Sequence, residues 1–156
     1  MVGIARLRPY PDRVSGTFIA FALASLAGLM VTVQAQMLGV VETKYGPYVA
    51  GAVTFILGGV IGAVILAMIR PDFSEWRAVP WWAWLGGLAG LAVVTGISFA
   101  IPRIGISPTL TIVIAAQLVV AVVLEHFGLL GVARRPLDAR VVGIAIVALG
   151  SWITIR

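Results

Sequence analysis

The chain of 156 residues contains no cysteine, one lysine and one histidine. Without cysteine there is no disulfide, no thiol nucleophile and no thiolate metal site. The lone Lys44 does not stand in a glycine-rich phosphate loop, whose chemistry needs a lysine at its end. A single His126 supplies neither a histidine metal cluster nor a serine–histidine–aspartate relay. No second carboxylate is expected to be buried within the apolar stretches, so a carboxylate dyad is missing too. Enzyme chemistry and a bound cofactor are therefore not expected.

Charge is scarcer still. Only 11% of residues are charged, 61% are hydrophobic, and the mean hydropathy is +1.09. A soluble domain carries about 25% charged residues, so a soluble fold is excluded. Five stretches hold no Asp, Glu, Lys, Arg or His: residues 14–41, 45–69, 78–102, 104–124 and 141–155. They contain 28, 25, 25, 21 and 15 residues. Charged side chains are costly in hydrocarbon, so such stretches mark membrane spans. The predicted fold is an all-α membrane protein, a single domain of five transmembrane helices at about 17–40, 47–69, 81–101, 107–127 and 140–155. The fifth is the short one: its 15 uncharged residues make about 22 Å of helix against a hydrocarbon core of about 30 Å. Arg140 and Arg156 at its ends reach the two interfaces by snorkelling. The long apolar stretch after Arg13 exceeds a signal-peptide core and reads as an uncleaved first span.

Five is odd, so the two ends of the chain are expected on opposite sides. Eight basic residues fall on one side: Arg6, Arg8, Arg13, Arg70, Arg77, Arg134, Arg135 and Arg140. Three fall on the other: Lys44, Arg103 and Arg156. The positive-inside rule puts the N-terminus in the cytoplasm and the C-terminus outside. The net charge of +5 thus orients helices and does not imply a nucleic-acid partner. Trp81, Trp82 and Trp84 open the third span, where indole rings favour the interface. Trp84 is also a candidate for stacking on a substrate. The gap between the third and fourth spans is short, which makes those helices antiparallel neighbours. Ser107 and Pro108 fit the capping and first helical positions of the fourth span. Small residues at four-residue spacing, such as Ala20, Ala24 and Gly28, or Gly58 and Gly62, allow close helix approach in lipid.

The polar inventory inside the spans is short. Gln117 lies ten residues past Ser107, about 15 Å deep, at the midplane. Its carboxamide must be satisfied by protein or by a water-filled cavity. Gln34 and Gln36 point about 200° apart on a helix, so only one can face a given cavity; Gln34 is the deeper. Thr95 and Ser98 are expected to bond back to their own helix or to line a pathway. Glu125 and His126 form a titratable pair at a membrane boundary. They are candidates for proton coupling, or else for an interfacial ion pair with nearby arginines.

A run from Trp81-Trp-Ala-Trp-Leu-Gly-Gly-Leu-Ala-Gly90 through Ile101-Pro-Arg-Ile-Gly105 continues in order. It passes Ala115-Ala-Gln-Leu118 and Leu124-Glu-His-Phe-Gly128 and ends in Arg134-Arg-Pro-Leu-Asp138. With Gly28 and Val33-Gln34-Ala35, this resembles the YdcZ-type family, five-helix members of the drug/metabolite transporter (DMT) superfamily. The resemblance implies an inner-membrane half-transporter for a small organic molecule, secondary active and working in export. It also implies a homo- or hetero-oligomer, because ten-helix relatives contain two inverted five-helix halves. Gln34 and Gln117 match glutamines of the family pattern, and Glu125 stands where members carry an acidic residue. The chain departs from the pattern at Ala35-Gln36-Met37-Leu38, where an Asn often follows the glutamine. Small multidrug-resistance proteins of the same superfamily carry a glutamate in span one, which is absent from 17–40 here.

A transporter is the leading reading. A non-transporting membrane accessory protein is the alternative, and a channel-like pore comes third. Midplane polar residues favour transport over scaffolding, since a scaffold needs no Gln117. The basic-residue bias also fixes one orientation, so two copies must pair parallel, or the chain must pair with an oppositely biased partner. Single cysteines placed in this cysteine-free chain should react with an impermeant maleimide from one side only. Comparable labelling of one site from both sides would exclude the fixed orientation.

Overall fold

Hydrocarbon offers the backbone no hydrogen-bond partner, so a chain this apolar closes its own bonds in helices. The computed structural model describes residues 13–155. It contains five α-helices: α1 Arg13–Tyr45, α2 Pro47–Ile69, α3 Gly86–Ile104, α4 Ile106–Phe127 and α5 Arg140–Ile155. Short 3₁₀ turns occupy Trp76–Ala78, Trp81–Leu85 and Leu129–Gly131. No strand occurs among the described residues. The chain is an all-α membrane protein. Four of its helices are long and apolar enough to cross a membrane. Helix α5, with 16 residues, is shorter. Arg6, Arg8 and Arg156 of the orientation argument lie outside the described residues.

Helix ends differ from the apolar limits, for a physical reason. Charges mark where hydrocarbon stops, whereas helices stop where the backbone is broken. Helix α1 therefore runs past residue 40, through Glu42 and Lys44, to Tyr45. Gly46 breaks it at φ 82°, a left-handed conformation that favours glycine, and Pro47 restarts the chain as α2. Helix α3 likewise continues past Pro102 to Ile104 and breaks at Gly105, φ 88°. Gly105, not Ser107, is the N-cap of α4. Ser107 and Pro108 fall in the first helical turn, where the missing proline N–H would have had no helical partner. The third span opens as a 3₁₀ turn, Trp81–Leu85, ahead of α3. The one-glycine joints define a hairpin end of the structure. The longer connections, between α2 and α3 and between α4 and α5, define the loop end.

Packing divides the chain into two units, Met1–Gln34, described from residue 13, and Ala35–Arg156, described to residue 155. In the first unit a single helix exposes every residue from 17 to 34. In the second, α2 packs on α3, α3 on α4 and α4 on α5. Among the described residues of this unit, every buried one lies toward the hairpin end: Ala35, Leu38, Gly39, Glu42, Ala50, Gly51, Ile97, Ser98, Ile101, Thr109 and Ser151. Ala35, Ile97 and Ile101 form its core, with Ile106, Leu110 and Val113 of α4 packed against them.

Two glycines differ in what surrounds them. A Cβ added at Gly39 would sit 2.7 Å from Ile101 Cγ2 and 3.4 Å from its Cβ. A Cβ at Gly96 meets nothing within 4 Å. Ile101 is buried and branched at Cβ, so it has little room to turn aside. Gly39→Ala should cost about 1–3 kcal/mol through overpacking. Gly96→Ala should be neutral or gain up to about 1 kcal/mol of helix propensity. Thermal unfolding of the two variants in detergent checks the contrast.

Candidate functional site

Polar side chains in an apolar helix either bond within the protein or line a cavity, and both kinds occur here. At the hairpin end they are consumed by packing. Ser98 is fully buried, and its Oγ donates across to the Leu38 carbonyl of α1 at 3.5 Å, not back to its own helix. Thr109 bonds back to the Gly105 carbonyl at 2.6 Å. Ser151 of α5 donates to Val147 of its own helix and to Thr111 of α4, at 2.8 and 3.3 Å.

The same end holds a carboxylate that the apolar stretches concealed. Glu42, just beyond the first uncharged stretch, is buried and accepts from Arg103 Nη1 at 3.0 Å. The expectation that no further carboxylate is buried thus fails at Glu42, which lies two residues beyond the predicted first span 17–40 but still within helix α1. The available signal was its spacing. Glu42 lies one helical turn past Leu38, seven residues past Ala35, on the stripe that α1 buries.

One turn toward the loop end the protein opens. Gln117 follows Val113 by four residues and so continues the α4 face that is packed against the core. Yet Gln117 is exposed and finds no hydrogen-bond partner among the described residues. It lies eleven residues into α4, about 16 Å along the axis and near mid-membrane. Thr95 is half-buried on α3, turned to α2, where a Cβ on Gly51 would come 2.7 Å from its Oγ1. Gln34 belongs to the first unit and is exposed, as is Gln36.

At the loop end Glu125 is half-buried and pairs with Arg140 Nη1 at 2.7 Å. Arg140 also holds Asp138, at 2.8 Å. Glu125 and Arg140 border a groove of about 410 Å³ between α4 and α5, otherwise lined by Leu118, Ala121, Val122, Gly143, Ile144 and Val147. His126 is exposed, with its ring edge-on to Phe127 at 4.9 Å. Trp84 is exposed in the 3₁₀ turn before α3. The residues singled out from sequence thus fall into three places: the packed hairpin end (Ser98), the level just below it (Thr95 and Gln117), and the loop end (Glu125, His126 and Trp84). No group of three metal-ligating side chains occurs among the described residues.

Comparison with known proteins adds an independent finding. Residues 19–153 match a family described as "Putative inner membrane exporter, YdcZ", of the DMT group. The inner membrane protein YdcZ of Escherichia coli (strain K12) is 26% identical over 145 residues, covering 88% of this chain and 94% of that protein. No solved structure matches the chain.

The loop-end cluster has a pH signature. Hydrogen bonds from the Arg140 side chain and backbone N–H hold the Asp138 carboxyl at about 2, below its ordinary 3.8. A carboxyl lowered by folding favours the folded state above its unfolded value. That contribution is lost as pH falls from 3.8 through about 2. Asp138→Asn should therefore lower the melting temperature in detergent in the neutral range and flatten the acid limb between pH 3.8 and about 2, where the variant and native profiles converge. Melting temperatures across a pH series check this.

Proposed function

Because the chain belongs to the YdcZ family, we propose that it is one half of an inner-membrane exporter of small organic molecules. The observation that carries this is Gln117. A carboxamide has two donors and an acceptor. Here it stands uncovered near mid-membrane, on a helix face whose hairpin-end portion is packed. Leaving it in hydrocarbon is costly, so the face borders a water-filled path, a second chain, or both. A path between two chains satisfies it and explains an odd number of helices.

In this reading Gln117 and Thr95 contact the passing molecule, and Gln34, in the first unit, is a separate candidate contact. Ser98, already bonded to Leu38, serves closure. Trp84 anchors the loop end at the interface, where indole is favoured. Among described residues the loop end carries Arg70, Arg77, Arg134, Arg135 and Arg140, against Lys44 and Arg103 at the hairpin end. That bias supports a cytoplasmic loop end and an outward hairpin end, and with it a parallel homodimer or an oppositely biased partner. Glu125 and His126 then face the cytoplasm. They are the candidates for proton coupling in this reading, with Glu125 held by Arg140.

Purified protein in proteoliposomes, screened against amines, sugars and nucleotides, tests the proposal. At least one class should show flux above empty vesicles. Gln117→Leu should cut that flux about tenfold, the factor given by about 1.4 kcal/mol of lost polar interaction. Its melting temperature should not fall, since the change removes a polar group from an apolar face. Unchanged flux in the variant would remove Gln117 from the pathway.

A further inference from the structure

The Glu42–Arg103 pair takes no part in the polar pathway, and its two halves are unlike. The Glu42 side chain is only 7% exposed, whereas that of Arg103 is 48% exposed. A desolvated carboxylate is tolerated when paired and becomes destabilising once its partner is removed. Arg103 is held more lightly. Its Nη1 also donates to the Phe99 carbonyl of its own helix, and its guanidinium lies over the Phe99 ring, 3.5 Å from the centroid. One charge is built into the packing, and the other can move toward water without leaving its helix.

The position of the pair gives this asymmetry a use. Residues 35–45 of α1 meet α3 in successive steps: Leu38 accepts from Ser98, Gly39 receives Ile101, and Glu42 accepts from Arg103. The pair is the step nearest the membrane surface. Glu42 stands four residues before Gly46 and Arg103 two before Gly105. These glycines have nearly the same backbone angles, φ 82° and ψ 165° against φ 88° and ψ 163°. Each receives its preceding helix through one bond, Gly46 N–H to Glu42 O at 2.8 Å and Gly105 N–H to Ile101 O at 2.9 Å. The chain therefore carries two like one-residue joints with a single ion pair bridging the helices that lead into them. Helix α2 stays with α3 through Gly51 against Thr95 and Gly90 against Phe55. Turning at Gly46 would then part residues 35–45 from α3 while the other pairs stay packed.

We propose that Glu42 and Arg103 form a releasable latch that holds the hairpin end closed over the polar path. The word closed rests on the export reading above; the latch itself is a property of α1 and α3. With the pair formed, Ala35, Ile97 and Ile101 are sealed. As Arg103 withdraws, water reaches Glu42 at the same time, so its charge is never left unsolvated.

The test reads accessibility, not flux, so it is independent of whether a transported molecule is found. Ala35→Cys, at a site 1% exposed, is a small reporter beneath the latch. The purified variant in proteoliposomes is treated with an impermeant maleimide. Labelling should be slow with the native pair and at least about tenfold faster with Glu42→Gln or Arg103→Gln added. The charge swap Glu42→Arg with Arg103→Glu should return it to near the slow rate. A second reporter, Ser151→Cys, is buried at the same end on α5 and should not respond. Single variants that leave Ala35→Cys labelling unchanged would overturn the latch. So would a charge swap as fast as the single variants, or an equal rise at Ser151→Cys, which marks general loosening.

Discussion

The structure depends on one constraint: inside hydrocarbon there is no water to take up a hydrogen bond. It forces the backbone into helices. It also governs each polar side chain. Thr32, Thr54, Thr111 and Thr154 satisfy it by bonding to carbonyls of their own helices. Ser98 and Ser151 satisfy it between helices, and in doing so tie α3 to α1 and α5 to α4. Glu42 satisfies it with a counter-ion. Gln117 and Gln34 find no partner among the described residues, which sets them apart from the polar groups that merely hold helices together.

Burial follows the same division. The hairpin end contains every buried residue among those described in the second unit, and its small residues permit the close approach that burial needs. Gly39 admits Ile101, and Gly51 admits Thr95. Toward the loop end the helices pair more loosely, and the polar groups there are held by ions at the surface: Glu125, Asp138 and Arg140. One end is built by packing, the other by charge.

Much of the fold was legible in the chain because charge exclusion is a strong, local signal. The uncharged stretches coincide with helical segments because a membrane helix has no other way to treat so many apolar residues. Boundaries were less legible. Glu42 and Lys44 end the apolar stretch but not α1, which stops only at Gly46. Ser107 has the chemistry of a cap, yet Gly105 takes that place because the backbone must turn there. The site was legible in part. Gln117 stands out by depth alone, but whether Ser98 faces its own helix or another depends on rotation about the helix axis. Glu42 was passed over because a charge next to an apolar stretch looks like an interfacial residue; the helix that continues past it is what carries it into the packing.

By itself, the amino-acid sequence determined the class of the molecule, the number of its apolar segments, the depth of its glutamines and the family to which it belongs. These follow from composition and order along the chain, and no contact between distant residues is needed to fix them. Only the tertiary structure decided which polar groups are consumed and which are left open. The pairing of Glu42 with Arg103, sixty-one positions apart, is of this second kind. So is the contact of Ser98 with Leu38, sixty positions apart. Both exist because single glycine joints fold α1 and α3 back at the same end, and nothing local to either residue announces the partner it will meet.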